Sequence, residues 1–195
     1  RDNSGTWEYN SNTGNADVWD VSEAVYDNSY LFDQNSQGNS KQGIHFKPDG
    51  TKVFIAEDSQ NDIDEYDLST PWDISTSTYV QSFDVSSQDT SPRSVRFKGD
   101  GTKMYVLGDA SDEVNEYNLS TAWDISSASY NQTFTLTGQA PYVHGLFLKP
   151  DGTKMYVSGN DKIDEYDLST AWDVSSAVLN QTFNSSSQGS NIQGI

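Results

Sequence analysis

Apolar and polar residues alternate along this chain in short runs of period two, and no stretch shows the 3.6-residue period of a helix. One stretch displays the whole pattern. "SVRF", ending at Phe97, is followed by "KMYVLG", "EVNEYNL" and "SYNQTFTL", each rich in β-branched or aromatic residues. The four runs predict four β-strands. Between the first two stands Gly99-Asp100-Gly101, where the neighbouring copies have Pro48-Asp49-Gly50 and Pro150-Asp151-Gly152. Pro presets φ, Asp bonds its own backbone two residues on, and Gly supplies positive φ, so the segment predicts a tight hairpin turn.

The same letters return at a fixed interval. "FKPDGTKVFI" from Phe46 becomes "FKGDGTKMYV" from Phe97 and "LKPDGTKMYV" from Leu148, spacings of 51 and 51. Phe32, Phe83, Phe134 and Phe183 keep nearly the same step, as do Gln37, Gln88, Gln139 and Gln188. Trp19, Trp72, Trp123 and Trp172 open four "WD[IV]S" segments, and Tyr66, Tyr117 and Tyr166 sit in "EY[DN]LST". Four strands in about 50 residues, repeated in tandem, predict an all-β fold, a β-propeller of four-stranded antiparallel blades. The boundaries are a partial blade over 1–37, blades over 38–88, 89–139 and 140–188, and the start of a next blade over 189–195. Only three hairpins accompany four Trp and four Phe landmarks, so the expectation is one repeat domain of about four blades belonging to a larger propeller. A ring of four with one defective blade is the alternative.

Charge narrows the function classes. The 195 residues carry 29 acids against 11 Lys and Arg, a net charge of −18. Phosphate binding needs a basic footprint, so nucleic acid is excluded as a partner, and anionic membrane surfaces are disfavoured. No apolar run approaches the roughly 20 residues of a membrane span, so no membrane insertion is expected. There is no Cys, hence no disulfide or thiol chemistry. Richness in Ser, Thr, Asn and Asp points to an extracellular or virion-surface location.

The hairpin "KPDGTKMYV" followed by "EYDLST" resembles the YVTN and NHL-like propeller repeats, a broad group that includes lactonase-type propellers. Combined with "WDIS", it is similar to tandem repeats in uncharacterised proteins of marine bacteria and their phages. The resemblance implies the propeller fold and is poor for function, because propellers host many activities. A lactonase of this kind would place acids and amides around a channel metal.

Candidate chemistry is sought where the repeats differ. Two residues before the first-strand aliphatic stand Gln42, Arg93, His144 and Gln193, always polar and never constant in type. The first strand of a blade is innermost, so these four are expected at the channel mouth as ligand-binding residues, or simply to hydrate that mouth. Trp19, Trp72, Trp123 and Trp172 stand in identical contexts and could stack sugars. The competing role is a loop anchor, with the following Asp capping the turn. The acidic run from Asp58 to Asp67 offers oxygen ligands for calcium but lacks EF-hand spacing, so a solvated face is expected and no metal site is assigned. No nucleophile motif appears, and no catalytic residue is assigned.

These features read as a non-enzymatic binding or adhesion module recognising a glycan or a surface protein. The alternatives are a structural or assembly propeller in a fibre or capsid, with self-assembly or a larger parent chain, and a lactonase-like hydrolase.

Overall fold

A computed structural model describes residues 38, 40–136, 142–187, 192 and 194–195. The partial blade expected over 1–37, Trp19 with it, and Gln193 lie outside the described residues.

Twelve strands form three antiparallel sheets of four, each in simple sequential order. The first holds β1 (Lys41–Phe46), β2 (Lys52–Glu57), β3 (Asp62–Leu68) and β4 (Ser77–Asp84). The second holds β5 (Pro92–Phe97), β6 (Lys103–Gly108), β7 (Glu113–Leu119) and β8 (Ala128–Thr135). The third holds β9 (Val143–Leu148), β10 (Lys154–Gly159), β11 (Lys162–Leu168) and β12 (Ala177–Asn184). Three short 3-10 turns, Ile74–Thr76, Ile125–Ser127 and Val174–Ser176, lead into the fourth strand of each sheet. The chain is an all-β propeller of four-stranded blades, and no described helix is long and apolar enough to cross a membrane.

The hairpin turn works as its residues predict. Asp49, Asp100 and Asp151 accept from the backbone N–H two residues on, each at 3.0 Å. Gly50, Gly101 and Gly152 sit at φ of 72°, 74° and 73°. These glycines do a second job. A Cβ on Gly101 would lie 2.3 Å from the Trp123 indole, and Gly50 and Gly152 seat Trp72 and Trp172 in the same way. Each Trp backbone N–H donates to the carbonyl of its glycine, at 3.0–3.1 Å. Each Trp also adopts positive φ, between 65° and 68°, a conformation uncommon for a large side chain and sustained by these surroundings.

The core lies between blades. Phe54 and Ile63 of the first blade meet Val95, Phe97, Met104, Tyr117, Trp123 and Ile125 of the second. Tyr105 and Val114 of the second meet Leu146, Met155, Tyr166 and Val174 of the third. Acids are built into these contacts, which corrects the expectation of a solvated acidic face: Asp64, Glu65 and Glu116 are all at most 1% exposed. Glu65 accepts from the Ile125 N–H of the next blade, and Glu116 from the Val174 N–H. Lys52 and Lys103 pair with Glu65 and Glu116 from within the same blade.

Candidate functional site

The innermost strands β1, β5 and β9 each carry a β-bulge at the same place. Pairing slips by one residue between Lys41 and Ile44 in β1, between Pro92 and Ser94 in β5, and between Val143 and Gly145 in β9. Arg93 and His144 are the inserted residues, and Gln42 lies in the corresponding slip. A bulge frees a residue from the ladder and re-aims its side chain. Here the three bulges bring Gln42, Arg93 and His144 to one cavity of about 310 Å³, lined also by Ser94, Arg96 and Gly194. Gly43 allows the close approach of β1 to β5, since a Cβ there would lie 2.7 Å from Ser94 Cα. Gly145 does the same for residues 194–195, with a Cβ position 2.9 Å from the Ile195 nitrogen.

The cavity concentrates positive charge in an acidic protein. Two of the three arginines in the chain, Arg93 and Arg96, line it. Arg93 is not a free donor. It reaches Asp58 of the first blade at 3.4 Å and Asp109 of its own at 3.0 Å, and Asp109 accepts from the Val143 N–H of the third blade. Arg93 therefore joins three blades as well as facing the cavity, so its removal would disturb packing along with any ligand contact.

Arg96 is the residue that sequence reasoning missed. It donates to the carbonyls of Ile44, Val95 and Ile195 at 2.8–3.0 Å. Three of its five N–H donors are used, and no carboxylate pairs with it among the described residues. Burial lowers its pKa. The signal was present, because Arg96 occupies the position of His45 and Phe147 in the other copies, another site of variation. His45 instead belongs to the blade interface. It stacks on Trp123 at 6.2 Å between ring centres, and burial together with the Arg96 charge holds its pKa down to about 4. His45 is therefore neutral at pH 7. The Nε2 atoms of both His45 and His144 have no hydrogen-bond partner.

The tryptophans do not form equivalent shallow sites. Trp123 is 9% exposed, with Phe54, Phe97 and His45 against its ring, whereas Trp72 is 57% exposed. All three described Trp lay a ring on the turn glycine. The following Asp73, Asp124 and Asp173 cap the 3-10 turns by accepting from a Ser N–H at 3.0 Å. Nor does the acidic run gather a calcium site. Asp64 pairs with Lys41, Glu65 and Asp67 share Lys52, and Asp58 pairs with Arg93. Among the described residues no group of three His, Asp or Glu side chains is arranged to hold a metal.

No protein-family model and no curated protein matches the chain. Solved structures do. A candidate 6-phosphogluconolactonase from Bacteroides uniformis superposes with a TM-score of 0.52 at 21% identity, over 72% of this chain and 39% of its own. A protein from Lactobacillus plantarum gives 0.54 at 14%, over 75% and 43%. The periplasmic gluconolactonase of Pseudomonas aeruginosa gives 0.50 at 15%, over 76% and 39%. The chain thus spans about two fifths of the length of these structures. At such identities the likeness establishes the fold, the class to which the three sheets already pointed. The adhesion reading is corrected here: solved structures sharing this fold are described as lactonases, and the three described tryptophans lie on their turn glycines.

Proposed function

We propose that the bulge cavity is the substrate site of a lactone-hydrolysing propeller. The reading is supported by one observation above all: three equivalent bulges deliver three different polar side chains, Gln42, Arg93 and His144, into one cavity beside an arginine without a carboxylate partner. The resemblance of the repeats to YVTN and NHL-like repeats and the lactonase descriptions of fold neighbours agree with it.

The chemistry follows from the groups present. A cavity of about 310 Å³ admits a small polyhydroxylated ring. His144 takes a proton from water as the water oxygen attacks the lactone carbonyl carbon. The two remaining N–H donors of Arg96 and the Gln42 amide stabilise the oxyanion that forms. Collapse of the tetrahedral intermediate breaks the ring C–O bond, and the proton on His144 passes to the departing alkoxide. The product is a hydroxycarboxylate, whose charge the arginines favour. The lining of two guanidiniums, an imidazole and an amide does not suit a cation, so no step is routed through a metal.

Proton release from glucono-δ-lactone, followed in a pH-stat with the spontaneous rate subtracted, tests the reading. His144→Gln is expected to lower the catalysed rate by ~10²-fold or more with an unchanged Tm, the scale of a lost general base. A folded wild-type chain that accelerates no aldonolactone, or a His144→Gln variant as fast as wild type, would end it.

A further inference from the structure

Asp58 and Asp109 hold the same place in two consecutive repeats, just after β2 and β6, and the third repeat has Asn160 there. The backbone N–H of each acid donates to a serine carbonyl ahead of the innermost strand of its own blade, Ser40 for Asp58 and Ser91 for Asp109, both at 3.0 Å. The side chains reach forward to the next blade. Asp58 accepts from the Ser91 hydroxyl at 2.8 Å, and Asp109 from the Val143 N–H at 3.0 Å.

Both carboxylates also converge on Arg93, the inserted residue of the β5 bulge. Asp109 Oδ2 accepts from its Nη2 at 3.0 Å, and Asp58 Oδ2 lies 3.4 Å from its Nη1. Asp109 is the more enclosed of the two, with 10% of its side chain exposed. Charges held in such a partly buried setting are screened by salt far less than surface pairs. One guanidinium charge thus meets two carboxylate charges, and the group as a whole presents no positive field to the cavity that Arg93 lines. Arg93 keeps N–H donors beyond the two that the acids take. Those suit a hydroxyl oxygen, which asks for a donor and not for a charge.

We propose that Asp58 and Asp109 set the substrate class of the cavity: by cancelling the Arg93 charge they admit uncharged, hydroxylated lactones and reject lactones that carry a phosphate. This rests on the reading of the cavity as a lactone site. There the reacting carbonyl lies at His144, Arg96 and Gln42, and Arg93 faces the remainder of the ring. A phosphate on that remainder comes up against two carboxylates with one guanidinium between them, a like-charge encounter that disfavours binding. The carboxylate that hydrolysis releases is a different charge in a different place, formed beside Arg96.

Initial rates of the full chain on glucono-δ-lactone and on 6-phosphoglucono-δ-lactone, measured in the pH-stat with the spontaneous rates subtracted, test the selection. The uncharged lactone is expected to have a kcat/KM at least ~10-fold higher. Asp58→Asn and Asp109→Asn each remove one negative charge while keeping the side-chain shape. Each is expected to lower that ratio by ~3-fold or more, through KM for the phosphorylated ring. A role confined to holding the blades together would change both rates alike and leave the ratio where it was. Asp58 makes no contact with Val143, so Asp58→Asn carries the test if Asp109→Asn fails to fold. A smaller wild-type preference, or a ratio that no folded variant shifts, would overturn the proposal and leave the lactone reading standing. A folded wild-type chain inactive on both lactones would end both.

Discussion

Replacing Trp123 by Ala is expected to cost about 3–5 kcal/mol of stability, or roughly 10 °C in Tm, whereas Trp72→Ala costs less than about 1 kcal/mol. The two residues occupy the same place in the repeat, with the same positive φ and the same glycine beneath the ring. They differ in what lies above. Trp123 is enclosed by Phe54, Phe97 and His45, and its removal opens a cavity between two blades. Trp72 exposes more than half its surface and leaves no comparable void. Chemical denaturation of the two variants checks the contrast. Equal losses would mean that the tryptophans act through the turn alone and not through blade packing.

The second large effect is expected at Glu116. Its carboxylate is fully buried and accepts from Lys103, Asn131, Gln132 and the Val174 N–H. Glu116→Ala strands a lysine charge and a buried backbone donor, a loss on the order of 3–5 kcal/mol for a broken buried pair. Glu165 has the same neighbours inside its own blade, Lys154, Asn180 and Gln181, but among the described residues no backbone N–H of a following blade reaches it. Glu165→Ala is therefore expected to shift the thermal midpoint by only a small fraction of the Glu116 effect. A comparable loss at both positions would show that the acid serves its own sheet and that the link to the next blade contributes little.

Much of the fold was legible because a propeller blade is a local object. Strand alternation, the Asp-Gly turn and the 51-residue step are all short-range signals, and within the described blades each strand run is found as a strand. What escaped acts across blades. Glu116 stands in an acidic segment that reads as a wetted face, and only Val174, 58 residues away, makes it a core residue. The tryptophans read as a set of equals because their local sequences are equal. Their exposures differ because the neighbouring blade differs. At the site, variation among copies located Gln42, Arg93 and His144, but the bulges that turn them into one cavity left no pattern of their own. Arg96 was passed over because its counterparts are His45 and Phe147, so the position carries no polar type shared between the copies.

The chain contains only two histidines, His45 and His144, one stacked in a blade interface and one in the cavity. Their imidazole Cε1–H signals in an NMR spectrum of the full chain, followed at pH 7 as gluconate is added, report directly on where a hydroxycarboxylate binds. The site described here predicts that the His144 signal moves saturably while the His45 signal, from a half-buried neutral ring stacked on Trp123, stays in place. Gluconate that leaves both signals unmoved, or that moves His45 alone, would contradict it.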